Sequence, residues 1–337
     1  EPHAEVNAVN SVKDKSLLEK ATIYVSLEPC SHFGKTPPCC DLIIQNKIPN
    51  VVIGTVDPNE KVAGKGIKKL IEAGIKVTVG VLENECNELN QRFFTFHNKK
   101  RPYIILKWAE SQDSFITPNT ALRNEKKPVW ITNPYSRQLV HKWRSEEQAI
   151  LVGTQTVIDD NPKLDVRDWT GNHPVRVILD QNNRIPKTNH IFDNQIKTII
   201  ICGKITETGS KNTIFESIDF EQNIASQITK LLYKHQIQSV IIEGGSQILQ
   251  TFIDANLWDK ARVFIGNSIL GAGVKAPIMT QKQFKSSWCS TVREILVSRQ
   301  SSTSSKSCLK AMWRRLKHLQ LLTPTTSFRQ RSSGVTH

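Results

Sequence analysis

The chain has 337 residues, 38% of them hydrophobic and 23% charged, which is the size of about two globular domains and the composition of a folded, water-soluble protein. It has no run of about 18 apolar residues, so a helical membrane span is not expected. The net charge of +14 invites a nucleic-acid reading. Its distribution argues otherwise: residues 280–337 hold eleven Lys/Arg against one acid, a contribution of +10 that leaves only +4 on the preceding chain. The seven cysteines are an odd number, and Cys30, Cys39 and Cys40 crowd one stretch. That suits metal binding in a reducing cytoplasm better than a disulfide framework.

In chain order, Ala4, Ala8 and Val12 have helical spacing, which predicts a helix within 3–17. The chain opens at Glu1-Pro2-His3, directly on a chemical motif, so the natural N-terminus is expected to lie upstream. Residues 21–28 read as a strand stopped by Pro29, 39–45 as a helix, 51–56 as a strand ended by Asp57-Pro58-Asn59, 65–73 as a helix closed by Gly74, and 75–81 as a strand. Helices alternating with short apolar strands imply a mainly parallel sheet covered on both faces. The basic stretch from His97 to Pro102 reads as a linker, so the first domain is expected to span 1–98. A second alternating block fills 101–278, with strands at 103–108, 149–152, 175–180, 198–202, 239–243 and 261–265, and helices at 135–144, 224–235 and 247–255. After Met279 the pattern decays into a basic, Ser-rich tail, 279–337. It is expected to be largely disordered or detached, because like charges at that density favour a solvated chain. The competing elements there are an edge strand at 292–297 and a basic amphipathic helix around Trp313.

The chemistry concentrates at His3-Ala4-Glu5, followed by Pro29-Cys30 and Pro38-Cys39. Imidazole and two thiolates give zinc three protein ligands and leave a fourth position for water, whose pKa the metal lowers. A carboxylate two residues after the His, at a helix start, reaches that water without ligating the metal and can shuttle a proton to a departing amine. The expected metal ligands are His3, Cys30 and Cys39, with Glu5 the catalytic residue. This His-x-Glu and Pro-Cys arrangement is the signature of zinc nucleobase deaminases.

The run from Pro29 to Cys40, with His32, Phe33, Gly34, Lys35 and Thr36 between the cysteines, resembles the deaminase half of the bifunctional riboflavin-biosynthesis deaminase–reductases. Asp57-Pro58-Asn59 and Val62-Ala63-Gly64-Lys65-Gly66 resemble that family's next loop, although Glu60 stands where the family usually has Pro. In the second block the resembling segments follow the order of the family's reductase half: Arg101 to Ala109, Trp130-Ile131-Thr132, Arg144, Ala149 to Gly153, Thr154 to Val157, Asp159 to Leu164, Arg167, and Ile242-Glu243-Gly244-Gly245. The resemblance implies an α/β architecture, a cytidine-deaminase-like zinc domain followed by a dihydrofolate-reductase-like domain, with one Zn2+ and NADPH as cofactors.

The resemblance also implies that His32, Lys35, Asp57 and Asn59 hold the ribose phosphate of the deaminase substrate. In the reductase, Arg144, Leu164, Arg167 and Glu243 would contact substrate. NADPH would contact Ala109, Trp130, Thr156, Asp160 and the run Gly245, Ser246, Gln247, Ile248, Leu249, Gln250 and Thr251. Lys107 and Glu243 are the candidates for positioning and proton transfer. Gly244-Gly245 between a strand and a helix offers free backbone N–H groups to a phosphate, but it is not a dinucleotide fingerprint. Departures from the family are Ser111-Gln112-Asp113-Ser114 in place of Ser-Leu-Asp-Gly, Pro128 in place of Ser, and no recognisable final strands after Ile278. The expected partner is a small phosphorylated pyrimidine, with no nucleic acid and no membrane; the chain is expected to be cytoplasmic and a homo-oligomer. The alternatives are an RNA- or nucleoside-acting zinc deaminase, against which the long spacing between cysteines counts, and a zinc-stabilised module without activity.

Overall fold

The computed structural model describes residues 2–34, 37–58, 63–119, 130–279, 284–289 and 292–298, the last two stretches by backbone alone. It divides between Asn90 and Gln91 into two compact units. In the first, α1 (Ala4–Ser11), β1 (Thr22–Leu27), α2 (Cys39–Gln45), β2 (Asn50–Thr55), α3 (Lys65–Glu72), β3 (Lys76–Val79) and α4 (Glu83–Leu89) alternate around a sheet of order β1-β2-β3. Both pairings are parallel. The crossovers that parallel strands require place helices over the sheet, so β2, Asn-Val-Val-Ile-Gly-Thr, is buried along most of its length. Val9 of α1, Ile43 of α2, Val51 and Ile53 of β2 and Leu70 of α3 share one core. Parallel order also sends the loops that follow β1 and β2 to one edge of the sheet, where α2 and α3 begin.

The second unit opens with α5 (Gln91–Lys99), which takes in His97 to Lys99 of the stretch expected as a linker. Ion pairs that the sequence pattern does not reveal tie this stretch down. Arg92 Nε donates to the Glu147 carboxylate at 2.8 Å, Arg101 makes a two-pronged pair with Asp259 at 2.6 and 2.8 Å, and Phe96 packs on Tyr233. Thereafter come β4 (Tyr103–Glu110), β5 (Phe115–Pro118), α6 (Pro134–Glu146), β6 (Ala149–Gly153), α7 (Thr154–Asp160), β7 (Val175–Leu179), β8 (Thr198–Cys202) and β9 (Thr213–Ser217). The unit continues with α8 (Ile224–Lys234), β10 (Ser239–Glu243), α9 (Ser246–Asp254), β11 (Lys260–Ile265), β12 (Gly273–Lys275), β13 (Phe284–Cys289) and β14 (Val292–Ser298).

Among the described residues one sheet runs β13-β14-β11-β4-β10-β6-β7-β8-β9, with β5 and β12 paired separately. It is parallel from β11 through β9, and Ile104, Leu106, Leu151, Ile199, Val240 and Ile242 lie in its core. The strand at 292–297, expected only as a competitor to disorder, is present as β14. It pairs antiparallel with β11 from Lys260↔Ser298 to Ile265↔Arg293, and β13 pairs with β14 in turn. The second domain therefore does not stop at 278. Charge averaged over the whole tail concealed a short β-rich segment, Val-Arg-Glu-Ile-Leu-Val, that closes an edge β11 would otherwise leave open. The helix expected near Trp313 lies outside the described residues.

Candidate active sites

His3 is the N-cap of α1, Glu5 stands in the first turn of that helix, Cys30 follows β1, and Cys39 is the first residue of α2. Two helix starts thus face one point, with their partial positive charge favouring thiolates. His3 Nδ1 lies 3.3 Å from Cys39 Sγ and 3.6 Å from Cys30 Sγ, and the three donor atoms all lie within 4.8 Å of one another. A tetrahedral zinc bound to N and S donors separates them by about 3.6 Å, so this donor set fits that ion. The Cys39 amide donates to Cys30 Sγ at 3.3 Å. Burial, then the Glu5 carboxylate and Cys30, push the Cys39 thiol up, so a bound dication is what would make thiolates there.

Cys40 faces elsewhere: its thiol donates to the Pro29 carbonyl at 3.2 Å and burial pushes it up to about 12. Of the residues expected on the ribose phosphate, His32 is exposed and Asp57 is buried at the edge where the loops converge. Lys35 and Asn59 lie outside the described residues. The sequence reading passes over Glu28, a buried carboxylate at the end of β1 that accepts backbone N–H bonds from Asp57, Gly64, Gly66 and Ile67. The available signal is an acid where an apolar strand meets Pro-Cys.

In the second unit, parallel register sets Lys107 of β4 beside Glu243 of β10, and α6 brings Arg144 to the same carboxylate. Arg144 Nη2 donates to Glu243 Oε2 at 2.7 Å and its Nε to Oε1 at 3.2 Å, while Lys107 Nζ is 3.7 Å away. Burial alone would raise the Glu243 carboxyl, but Arg144 and Lys107 hold it at about 2. Burial lowers the Lys107 ammonium against the pull of Glu243. Arg144 Nη1 also reaches the Asp165 carbonyl at 3.4 Å, and Arg167, half-exposed, pairs with the Asp165 carboxylate at 2.7 Å. Both arginines therefore belong to one corner. Buried His141 supports that loop, with Nδ1 3.1 Å from the Asp165 carbonyl and Nε2 3.3 Å from Asp168. Leu164, in left-handed conformation at φ 52°, turns its side chain into the core, so only its backbone is available to a substrate.

Of the expected cofactor residues, Gly245 and Ser246 stand at the carboxyl edge of the same sheet, where β10 gives way to α9. α9 starts after Gly245 and α7 after Gly153, on adjacent strands, and a Cβ on Gly244 would lie 3.6 Å from the Gly153 nitrogen. Two helix starts side by side, with open space at Gly153 and Gly245, form a cradle that fits a diphosphate. Ser246 and Gln247 stand at that start, but Ile248 and Leu249 are buried in the core, Gln250 bonds the Ile278 backbone, and Thr251 bonds the Gln247 carbonyl. Ala109 is half-buried near the end of β4, Thr156 and Asp160 lie on α7, and Trp130 is exposed beneath the Arg137 guanidinium. The reading also passes over a cavity of about 520 Å³ beyond β7, β8 and β9, lined by Gln181, Gly203, Asp219 and Phe220. Thr154 Oγ1, bonded to the Leu179 carbonyl at 2.7 Å, connects the cradle to that edge.

These two sites belong to a chain that joins a cytidine-deaminase-type zinc region to a reductase-type α/β domain. Residues 1–55 match the model of the cytidine and deoxycytidylate deaminase zinc-binding region, and residues 102–305 match that of the RibD C-terminal domain. The second match runs past 278, as the strands β13 and β14 do. The chain is 40% identical to the riboflavin biosynthesis protein RibD of Aquifex aeolicus over 282 residues, covering 81% of this chain and 76% of that protein. It is 32% identical to RibD of Escherichia coli over 292 residues, covering 82% and 77%. Among solved structures, a diaminohydroxyphosphoribosylaminopyrimidine deaminase/5-amino-6-(5-phosphoribosylamino)uracil reductase from Thermotoga maritima superposes with a TM-score of 0.78 at 34% identity, covering 88% of this chain and 85% of that one. The chain belongs to the RibD family of riboflavin-biosynthesis proteins.

Proposed function

We propose that the chain carries out two consecutive steps of riboflavin biosynthesis: hydrolytic deamination of 2,5-diamino-6-(5-phosphoribosylamino)pyrimidin-4(3H)-one in the first unit, and NADPH-dependent reduction of the ribosyl chain to ribityl in the second. The convergence of His3, Cys30 and Cys39, with Glu5 against Cys39, carries this reading. Zinc, when bound, supplies the Lewis acidity that makes water nucleophilic near neutral pH. Glu5 takes the proton released by the attacking water and delivers it to the departing exocyclic amine. Cys40, engaged with Pro29, is not a ligand.

In the second unit NADPH, when bound, supplies the hydride for the ribose C1′. Glu243, held at about 2, is ionised at neutral pH and orients its two cationic neighbours. Lys107, its proton loosened by burial, is the donor to the ring oxygen as the sugar opens. Arg167, half-exposed beside Arg144, takes the substrate phosphate. The Gly245 helix start, with Ser246 and Gln247 beside it, would hold the cofactor's diphosphate. The nearly uncharged balance of residues 1–279 supports small-molecule substrates over nucleic acid. No helix among the described residues is long and apolar enough to cross a membrane.

Zinc analysis with separate deaminase and reductase turnover tests the reading. Cys30→Ser is expected to lose both zinc and deamination while keeping reduction, and Cys40→Ser to keep all three. Equal zinc in the two variants overturns the ligand set.

A further inference from the structure

We propose that Glu28 is a positioning residue of the deaminase site, one whose carboxylate ties both ends of segment 57–64 and the start of α3 to the strand end that carries Cys30. This rests on the reading of Asp57 as a substrate-side residue. Glu28 Oε2 accepts from the Asp57 amide at 3.2 Å and from the Gly64 amide at 2.9 Å, so one oxygen clamps the two ends of that segment. Oε1 accepts from Gly66 at 2.9 Å and Ile67 at 3.2 Å, the first-turn donors of α3. That helix has no side-chain cap of its own, since its N-cap is Gly64, in left-handed conformation at φ 78°. The cap comes from a different element, and that element is the one leading into the metal ligands.

Burying a carboxylate is unfavourable unless its lone pairs are satisfied, and here four backbone N–H donors supply bonds to it. A local Ser or Asp would cap α3 equally well but would not couple it to β1. The surrounding contacts serve the same coupling. A Cβ on Gly66 would sit 2.2 Å from the Pro29 carbonyl oxygen, so α3 reaches the strand end only because Gly stands there. Cys40 Sγ bridges the two, donating to Pro29 at 3.2 Å with the Gly66 carbonyl at 3.6 Å, and the Cys40 amide donates to the Cys30 carbonyl at 3.1 Å. The metal-side loop, the start of α2 and the substrate-side loop therefore share one knot, in which the Glu28 carboxylate accepts the Asp57 amide. Glu28→Gln keeps the shape but turns a donor toward backbone N–H groups, which releases one pair of them.

The full-length chain carrying Glu28→Gln is compared with the parent by zinc content, amide hydrogen exchange, and deaminase and reductase kinetics. Zinc is expected to stay at the parental level and reductase kinetics to be unchanged. The amides of Asp57, Gly64, Gly66 and Ile67 should exchange about tenfold faster or more, and deaminase KM should rise about tenfold with kcat nearly unchanged, as the loss of charge-assisted bonds implies. Gly66→Ala, which pushes the same loop away from the opposite side, should reproduce the KM effect. Parental exchange and parental KM in Glu28→Gln overturn the proposal. So does loss of zinc, which would make Glu28 a support for the ligands instead. Should the parent fail to deaminate this substrate, the substrate reading fails, and the exchange measurement alone still decides for or against the clamp.

Discussion

The metal centre and the reductase cleft are both built from a few polar side chains at the carboxyl edge of a parallel sheet, but they are held in opposite ways. At the metal centre the backbone does the holding: His3 stands at the N-cap position of α1, Cys39 opens α2, and the Cys39 amide binds Cys30 Sγ. In the cleft, side chains hold one another, with Glu243 gripping Arg144 from 99 residues away and Lys107 from the neighbouring strand. A site held by backbone tolerates loss of a reacting group without collapse. A site held by opposite buried charges does not, because each remaining charge is stranded.

The sharpest test of this difference is Glu5→Gln against Glu243→Ala. Glu5→Gln should lower deaminase kcat by about 10² to 10⁴, the worth of a positioned general acid–base, while zinc content, melting temperature and reduction stay parental. Deamination within about tenfold of the parent would remove Glu5 from the role of proton shuttle. Glu243→Ala should abolish reduction and also destabilise the second unit by about 3–5 kcal/mol in denaturant titration, since Arg144 and Lys107 are left buried without their anion. A reductase-dead variant of parental stability would show that the cleft, too, is held by backbone.

The same contrast has a pH signature. The folded Glu243 carboxyl is held at about 2, below the ordinary Glu value near 4.3. Its contribution to stability is therefore fully present above the unfolded value and is lost as pH falls from about 4 through 2. Acid titration of the second unit should show a loss over that window that is absent in Glu243→Gln. Within the cleft, Arg167 is the half-exposed member and the easiest to remove. Arg167→Ala should raise reductase KM for the phosphorylated substrate about ten- to a hundredfold, the loss of a charged contact, with NADPH affinity little changed. A defect mainly in NADPH binding would reverse the assignment of the two ends of the cleft.

Legibility in the sequence divides along the same line. The ligand trio could be read because its residue types are chemically rare in combination and sit beside Pro at helix and strand ends. The strands Thr198–Cys202 and Ser239–Glu243 were legible because β-branched runs buried on both faces leave an unbroken apolar signal. Glu28 was not, because its partners are all backbone amides, which carry no residue identity. α7 was missed because Thr-Gln-Thr-Val-Ile-Asp-Asp reads as a polar loop, and only Val157 of it is buried. β9 and β13 are short edge strands, and β13 was hidden under the tail's charge, while β14, between β13 and β11, was read only as the edge-strand alternative at 292–297. The Arg144–Glu243 grip was invisible for a different reason: it depends on where α6 packs against the end of β10, and the Lys107–Glu243 pair on the register of β10 against β4, neither of which a local pattern encodes.

The smallest effect concerns the turn that leaves β4. Ser114, where the resemblance leads one to expect Gly, sits at φ 63°, in the left-handed region that a side chain disfavours by roughly 1 kcal/mol. The turn is kept because its other bonds over-determine it. Ser111 Oγ donates to Asp113 Oδ1 at 2.6 Å and accepts the Phe115 amide at 3.0 Å, and the Asp113 carboxylate receives the Leu270 and Gly271 amides at 3.1 and 2.7 Å. The Ser111 hydroxyl is the largest influence holding the Asp113 carboxyl down at about 2, so these bonds persist throughout the neutral range. Backbone donors thus fix this corner of the second unit as they fix the metal centre of the first. Ser114→Gly should relieve the strain without disturbing the bonds, but Gly also gains freedom in the unfolded chain, which offsets part of the relief. The net expectation is a gain of about 0.5 kcal/mol in denaturant titration with parental reductase kinetics. A loss of stability would mean that the Ser114 side chain contributes more to the turn than its backbone strain removes.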